Sequence, residues 1–426
     1  MSGIAHDRHV TRAWVLHPDI KSDRSRRDAE MALAEAVSLA VALPDLEVVG
    51  ETVVPLPRPH AGMLFGSGKI EELKSRLKEA EVELVLIDGP VTPVQQRNLE
   101  KAWGVKLLDR TGLILEIFSD RAATREGVLQ VEMAHLSYQR TRLVRAWTHL
   151  ERQRGGLGFV GGPGETQIEA DRRAIDEQLV RLRRQLDKVV KTRDLHRKAR
   201  AKVPYPIVAL VGYTNAGKST LFNRLTGAEV MAKDMLFATL DPTMRRVDLP
   251  TGAEVILSDT VGFISDLPTE LVAAFRATLE EVLAADVVVH VRDISHPESE
   301  AQARDVRSIL ASLGVAEETA QIELWNKLDL LDPEEAEAAE LRAARDDQIF
   351  AVSALTGAGL EDFLAAVTRI LGSETREDEL CLTHQEGRKR AWLYERGLVL
   401  DEVQDDTGPR LRVKWSPRDR AQFEGL

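Results

Sequence analysis

The stretch Gly212-Tyr213-Thr214-Asn215-Ala216-Gly217-Lys218-Ser219 decides the fold of the domain around it. It lies between an apolar run at 207–211, which predicts a buried strand, and residues 220–225, which predict the opening of a helix. A G-x-x-x-x-G-K-[ST] sequence between a strand and a helix is typical of a phosphate-binding loop. Its backbone N–H groups and the positive end of the helix would hold phosphate oxygens. The sequence therefore predicts a nucleoside triphosphate site.

Two side chains of this loop have specific expected roles. We expect Lys218 to reach the β- and γ-phosphates, and the Ser219 hydroxyl to ligate Mg²⁺. The loop residues that we assign to nucleotide binding are Gly212, Tyr213, Thr214, Asn215, Ala216, Gly217, Lys218, Ser219 and Thr220.

The base is predicted from Asn326-Lys327-Leu328-Asp329, which follows a second apolar run at 321–325. This tetrapeptide resembles the guanine-specificity motif of GTPases, and at the end of a parallel strand it would face the ligand crevice. Asp329 would accept hydrogen bonds from the guanine N1–H and exocyclic amine, which adenine does not present there. Asn326 would tie the base edge to the phosphate loop, and the Lys327 stem would lie over the ring.

A further predicted strand at 348–352 ends in Ser353-Ala354-Leu355. This tripeptide resembles the GTPase loop whose backbone N–H meets the guanine O6. With the tetrapeptide at the right distance after a phosphate loop, it predicts GTP as the nucleotide.

The switch segments are also recognisable. Asp259-Thr260-Val261-Gly262 follows a predicted strand at 255–258 and matches a D-x-x-G switch, in which Asp259 holds Mg²⁺ through water and the Gly262 N–H senses the γ-phosphate. Residues 237–243 occupy the place of the first switch loop. There Thr239 is our choice for the Mg²⁺ contact, and Thr243 is the competing choice. We assign catalytic roles to Lys218, Thr239 and Gly262.

Phe263 follows the switch glycine at the place where many small GTPases have a water-orienting glutamine. A phenyl ring cannot hydrogen-bond a nucleophile, so we expect slow intrinsic hydrolysis that needs help from a partner or a cation. Alternatively, Phe263 simply packs the switch. Asn215 is a candidate for K⁺ recruitment, because GTPases that bind K⁺ beside the phosphates have asparagine at this loop position. The equal alternative is that Asn215 only shapes the loop and binds no cation.

Composition excludes several classes of protein. Charged residues make up 30 % and hydrophobic residues 43 % of the 426 residues, and Cys381 is the only cysteine. This composition predicts a soluble chain of about three domains without a disulfide framework. The first twelve residues contain no apolar signal core, and no apolar run is long enough for a membrane span. We expect a cytoplasmic monomer.

The net charge of −12 is unevenly distributed. Residues 140–202 contain 17 lysines and arginines against 8 aspartates and glutamates, a net charge of +9, so the rest of the chain has −21. A basic block in an acidic chain is typical of proteins that contact a phosphate backbone, although a solvated helix face gives the same pattern.

Apolar spacing places this block on two long helices. A 3-4 repeat from Ile168 to Val189 and a second from Leu129 to Leu150, interrupted by Arg140, predict an antiparallel helical hairpin. Its connection, residues 154–164, contains six glycines. A flexible tip with arginines around it suits contact with folded RNA, whereas a passive loop would not need so many glycines. The candidate RNA contacts are Arg152, Arg154, Gly155, Gly156, Phe159, Gly161, Gly162, Arg172 and Arg173.

The predicted fold class is α/β, centred on a P-loop GTPase domain with a doubly wound, mostly parallel sheet. Alternating strand and helix patterns at 1–110 predict a small α/β domain before it. The hairpin occupies 111–203 and the GTPase domain 204–372. Residues 373–426 form a small α+β appendage, with a predicted helix around 390–396 and a hairpin around 405–409.

This order of domains resembles the HflX family of ribosome-associated GTPases. The resemblance extends over residues 10–372 and rests on the stretches at 65–69, 161–167, 236–243 and 259–264. It implies binding to ribosomal RNA of the large (50S) ribosomal subunit, with the hairpin tip directed towards the peptidyl-transferase region. In the family, binding to the large subunit in this way splits idle or stalled 70S ribosomes, often under stress. The resemblance also implies that Phe263 is a family trait, and that other purine nucleotides can be accepted.

Two functions follow from these patterns. The first is a GTP-hydrolysing translation factor that splits or rescues stalled or idle 70S ribosomes. Its expected cofactor is Mg²⁺, with K⁺ as a second candidate, and its expected partners are GTP, GDP and the 50S subunit. The second is a GTP-dependent signalling switch that acts on a protein effector or a membrane-protease complex. The acidic remainder of the chain suits a protein partner.

Overall fold

The computed structural model of the protein describes residues 9–22, 27–153, 163–200, 205–228, 236–237, 243–265, 281–315, 319–373, 376–383, 386–405, 408–415, 419–420 and 423, of which 143–153, 163–168, 192–200, 373, 376 and 405 are described by their backbone only. The chain divides into two compact units. The first comprises residues 1–190, 233–241 and 261–277, and the second 191–232, 242–260 and 278–426.

The first unit begins with an α/β domain. Its four strands are all parallel, in the order β2-β1-β3-β4. Helix α3 begins with a complete capping box, in which Thr92 and Gln95 satisfy each other's backbone N–H groups. The elements are β1 (Thr11–Ile20), α1 (Ala29–Val41), β2 (Leu46–Leu56), α2 (Ser67–Glu79), β3 (Leu84–Ile87), α3 (Pro93–Trp103), β4 (Lys106–Asp109) and α4 (Arg110–Arg121).

Two long helices follow, α5 (Arg125–Gln153) and α6 (Pro163–Arg200). Arg140 of α5 pairs with Asp176 of α6 at 3.0 Å, and Gln178 of α6 donates to Glu132 of α5 at 3.3 Å. Since the chain advances in opposite directions between these two contacts, the helices are antiparallel. Along α6, Leu182 is buried while its charged neighbours are exposed, so this part of the helix has one buried side and one solvated side.

The second unit contains the phosphate loop. Its sheet has the order β10-β9-β8-β5-β7-β6, and all neighbours are parallel except the antiparallel pair β6 and β7. Strand β5 lies between β7 and β8, which is the point where the strand order reverses. The elements are β5 (Ile207–Gly212), α7 (Lys218–Thr226), β6 (Thr243–Asp248), β7 (Glu254–Asp259), β8 (Val287–Asp293), α8 (Ser299–Leu313), β9 (Ala320–Asn326), α9 (Pro333–Ala343), β10 (Ile349–Ala351) and α10 (Leu360–Ser373).

A small α+β element ends the second unit. Strands β11 (Arg376–Cys381), β12 (Val399–Asp405) and β13 (Gly408–Trp415) form an antiparallel sheet in the order β11-β13-β12, with α11 (Gly387–Glu395) packed on it. From Pro409 onward burial alternates along β13, so one face of the sheet forms a core with Leu393 and the other presents charged side chains to solvent. The predicted fold class is confirmed; the exact domain boundaries stay a prediction.

Candidate nucleotide-binding site

The predicted phosphate loop connects β5 to α7 at the carboxyl edge of the sheet. Two of its glycines are required by close approach. Gly212 has φ +152°, and a Cβ there would lie 2.2 Å from the Val291 carbonyl oxygen. Gly217 has φ +93°, and a Cβ there would lie 2.2 Å from Asn326 Nδ2. Both backbone angles are ones that L side chains rarely adopt, so only glycine fits at these two positions.

Lys218, the first residue of α7, is buried beneath the loop. Its Nζ donates to the carbonyl oxygens of Gly212, at 3.1 Å, and of Tyr213, at 2.8 Å. Burial lowers the pKa of Lys218 to about 8, and the negative charge of Asp259 opposes this only in part. The amine therefore lacks a full counter-charge, and an anion bound in the loop would supply it.

Ser219 and Asp259 bring two side-chain oxygen atoms together. The Ser219 hydroxyl donates to Asp259 Oδ2 at 2.7 Å, and Asp259 is fully buried at the end of β7. A hydroxyl beside a carboxylate is an oxygen donor set that suits Mg²⁺. Nearby in the loop, the buried Thr214 hydroxyl has no hydrogen-bond partner among the described residues. Such a group is costly unless a ligand satisfies it.

Of the two candidate threonines of the first switch, the structure describes only Thr243. Thr239 lies outside the described residues. Thr243 is the first residue of β6 and is paired in register with Asp259 of β7. The choice between them for the Mg²⁺ contact therefore stays a prediction.

The second switch extends from Asp259 into the first unit. Gly262 is buried, and the Phe263 side chain is only 3 % exposed. Phe263 therefore packs within the protein, as the simpler of its two interpretations proposes. It contributes no polar atom, so the expectation of slow intrinsic hydrolysis stands as a prediction.

The residues predicted to recognise the base lie at the ends of β9 and β10. Asn326 Nδ2 donates to the Ala216 carbonyl oxygen of the phosphate loop at 2.8 Å, and Asn326 Oδ1 accepts from the Ala354 N–H at 2.9 Å. The exposed Asp329 accepts from the Ser353 hydroxyl at 2.5 Å. One buried amide thus joins the phosphate loop to the Ser353–Leu355 loop, as expected of a site that positions a base beside a phosphate chain.

Two residues that sequence reasoning missed complete this part of the site. Asp293, at the end of β8, pairs with Lys327 Nζ at 2.8 Å, and Lys327 itself is left-handed with φ +68°. Arg224 of α7 donates to the carbonyl oxygens of Leu355, at 2.7 Å, and Thr356, at 2.6 Å. The β-branched run Val287–Val289 was a signal for β8 and hence for Asp293. Arg224 had none, because its partners are backbone atoms far away in sequence.

The candidate RNA contacts are only partly described. Arg172 and Arg173 are exposed on α6, and Arg173 pairs with Glu169 at 3.7 Å. Arg152 lies near the end of α5, where only the backbone is described. Outside the described residues are Arg154, Gly155, Gly156, Phe159, Gly161 and Gly162.

Comparison with protein families accounts for nearly the whole chain. The matching models are GTP-binding GTPase N-terminal at 30–119, GTP-binding GTPase Middle Region at 121–200, 50S ribosome-binding GTPase at 207–327 and HflX C-terminal domain at 338–425. A GTPase HflX of Magnetococcus marinus is 48 % identical over 96 % of this chain and 93 % of its own length. The chain belongs to the HflX family.

Further relatives agree with this assignment. GTPase HflX of Escherichia coli is 44 % identical over 82 % of both chains, and GTPase HflX of Caldanaerobacter subterraneus is 41 % identical over 95 % of both. The family assignment and the P-loop domain identify the chain as a GTP-hydrolysing enzyme that binds GTP and GDP. Within the described ranges, none of the helices combines the length and apolarity needed to span a bilayer.

Proposed function

We propose that this GTPase is a translation factor that binds the large ribosomal subunit and uses GTP to split or rescue idle or stalled 70S ribosomes under stress. The observation that carries the proposal is the combination of the phosphate-loop site between β5 and α7 with a long antiparallel helical arm, formed by α5 and α6. The name of the family model at 207–327, 50S ribosome-binding GTPase, supports this choice of partner.

The surface of the arm supports an RNA partner. Arg172, Arg183 and Arg184 are exposed on α6, and in the part of the chain that the structure describes none of them forms an ion pair. Arg173 and Arg181, by contrast, each pair with a glutamate one turn earlier, as on an ordinary solvated helix. Arginines without carboxylate partners remain available for phosphate groups.

At the nucleotide, Ser219 and Asp259, with Thr239 or Thr243, would hold Mg²⁺, which neutralises charge on the β- and γ-phosphates when bound. Lys218 would leave the Gly212 and Tyr213 carbonyls for phosphate oxygens, and the Thr214 hydroxyl would donate to the same anion. Asp329 would select guanine through its carboxylate. Asn326 would hold the Ser353–Leu355 loop in a fixed position relative to the phosphate loop.

Slow hydrolysis follows from the same geometry. Phe263 is buried and apolar, so this position leaves the attacking water without an orienting side chain. The exposed Asn215, left-handed at φ +60°, would contribute an amide oxygen to a K⁺ ion beside the phosphates. Either the ribosome or this cation would therefore have to supply the missing stabilisation.

Sedimentation with purified subunits tests the proposal. The protein should pellet with the large subunit in the presence of a non-hydrolysable GTP analogue, and less so with GDP. Reversing the charge of Arg183 and Arg184 should weaken pelleting most at low salt, where phosphate contacts contribute most. The matched control reverses Arg181, which pairs with Glu177, together with Arg76 of α2, which pairs with Glu72. Absence of any nucleotide-dependent pelleting would contradict the proposal and favour a signalling switch with a protein effector.

A further inference from the structure

A buried ionic cluster lies at the carboxyl edge of the N-terminal sheet. Arg110, the first residue of α4, donates from Nη1 to Asp88 Oδ1 at 2.6 Å, and His17 Nδ1 lies 2.7 Å from Asp88 Oδ2. Glu35 of α1 accepts from Arg110 Nη2. Burial opposes ionisation of Asp88, but the His17 hydrogen bond and the Arg110 charge outweigh it and hold its pKa below the ordinary value. The cluster is therefore charged and tightly paired.

The occupant of this edge is the segment that follows the switch glycine. Ser265, three residues after Gly262, accepts from Arg110 Nη2 at its carbonyl oxygen, at 3.0 Å, and at its hydroxyl, at 3.1 Å. The same hydroxyl donates to Glu35 at 2.6 Å, and Ser265 is only 4 % exposed. Open parallel sheets bind their ligands at the carboxyl ends of the strands. In this domain that place is taken by a piece of the second switch.

The residue beside Arg110 makes contacts of the same kind with the arm. Asp109 ends β4 and accepts from the Tyr138 hydroxyl at 2.5 Å and from Arg142 Nη1 at 3.0 Å, both on α5. It also accepts from the Gly112 N–H at 2.9 Å, which fixes the start of α4. Asp109 is only 4 % exposed, so these bonds are shielded from water and rigid.

We propose that the adjacent pair Asp109–Arg110 transmits the nucleotide state of the second switch to the base of the helical arm. Arg110 holds the switch through Ser265, and Asp109 holds α5 through Tyr138 and Arg142. A shift of the switch that moves Ser265 must either break its bonds with Arg110, Glu35 and Arg27 or displace these side chains, Arg110 among them. Asp109 directly precedes Arg110 in the chain and is hydrogen-bonded to α5. A displacement of Arg110 is therefore passed on to α5, the first helix of the arm.

This inference rests on the proposed function, since an arm that acts on the ribosome is what gives the coupling a use. Its physical basis is an element with two states, the switch, which both the nucleotide and the arm bias. Linkage then requires that whatever stabilises one arrangement of the arm also favours the corresponding nucleotide. Asp109 and Arg110 are positioning residues, because they would act through Ser265 and Tyr138 without touching the nucleotide.

Hydrogen exchange on the full chain without ribosomes tests the inference. Peptides covering 125–142 should exchange at rates that differ between GDP and a non-hydrolysable GTP analogue by at least about fivefold, the low end of usual coupling. Ser265→Ala, which loses the hydroxyl bonds and keeps the carbonyl bond to Arg110, should reduce this difference while GDP still binds. Ser38→Ala should retain it, because the Ser38 hydroxyl donates to the Ala34 carbonyl oxygen of its own helix.

Tyr138→Phe tests the other end of the connection. This variant keeps Ser265 and Arg110, so the nucleotide-dependent difference should persist around residue 110. In α5 the difference should become smaller, because Asp109 keeps only its bond with Arg142 of that helix. Tyr394→Phe, an exposed tyrosine on α11, is its control. A wild-type protein without any difference in α5, or either test variant with the full wild-type difference, would overturn the inference. Failure of the proposed function would instead appear as a wild-type protein that does not pellet with the large subunit.

Discussion

Replacing Asp329 by asparagine should change the base preference of this enzyme. The carboxylate lies exposed beside the Ser353 loop, and a guanine base would offer it the N1–H and the exocyclic amine. Asparagine presents one amide oxygen and one NH₂ group in the same volume. The variant would therefore keep one acceptor, lose the charge, and place a donor against the guanine amine.

The magnitude follows from the bonds concerned. A hydrogen bond to a charged group contributes about 1.5–3 kcal/mol, so the loss of one such bond should weaken GTP binding by roughly 10- to 150-fold. Xanthine has a carbonyl oxygen where guanine has its amine, and the new amide can donate to it. Xanthosine triphosphate should therefore bind Asp329→Asn more tightly than GTP does.

Calorimetric titration of both nucleotides into the wild type and the variant measures this. Asp332→Asn is the matched control: Asp332 caps α9 by accepting from the Glu335 N–H, a task that asparagine performs as well. Unchanged GTP affinity in Asp329→Asn, or an equal loss in the control, would refute the assignment of Asp329 to guanine.

Three other perturbations test the rest of the site. Single-turnover GTP hydrolysis should be slow for the protein alone and faster with 50S subunits, and equal rates with and without subunits would contradict the role given to Phe263. Any advantage of K⁺ over Na⁺ in the same assay should vanish in Asn215→Ala. The nucleotide-free protein should become more stable as pH rises from about 8 towards the ordinary lysine pKa. In that pH range the folded state binds fewer protons at Lys218 than the unfolded state does. Thermal melts of Lys218→Met, which has no amine to titrate, should not show this gain in stability. Gly217→Ala should abolish GTP binding, because the new Cβ would collide with Asn326 Nδ2, and a variant with wild-type affinity would show the loop geometry to be wrong.

Much of the fold could be predicted, because the apolar runs and helix patterns of the sequence agree with the packing of the folded chain. The run at 207–211 became β5, and the helix predicted to open at 220–225 became α7, which begins at Lys218 and ends before Gly227. The helix α4 was not predicted, since its residues 110–121 are apolar on several sides and lack a clear period. Such a helix is defined by burial against neighbours rather than by its own pattern.

The nucleotide residues were predictable because phosphate and base chemistry restrict residue type and spacing. The cluster around Arg110 was not, because its members come from four elements far apart in sequence and their types are common in charged chains. Only the folded sheet brings Glu35, Asp88 and Ser265 to the same guanidinium, and His17 to Asp88. Long-range polar networks of this kind leave no periodic or motif signal.

Light scattering of 70S ribosomes measures the central claim most directly. Adding the wild-type protein with GTP should lower the scattering as subunits separate, and the same protein with GDP should not. A variant with residues 155–164 shortened to a tight turn should retain GTP affinity and lose the splitting, because that segment is far in sequence from every nucleotide residue. Unchanged scattering with the wild-type protein and GTP, or splitting at the full rate by the shortened variant, would contradict the account.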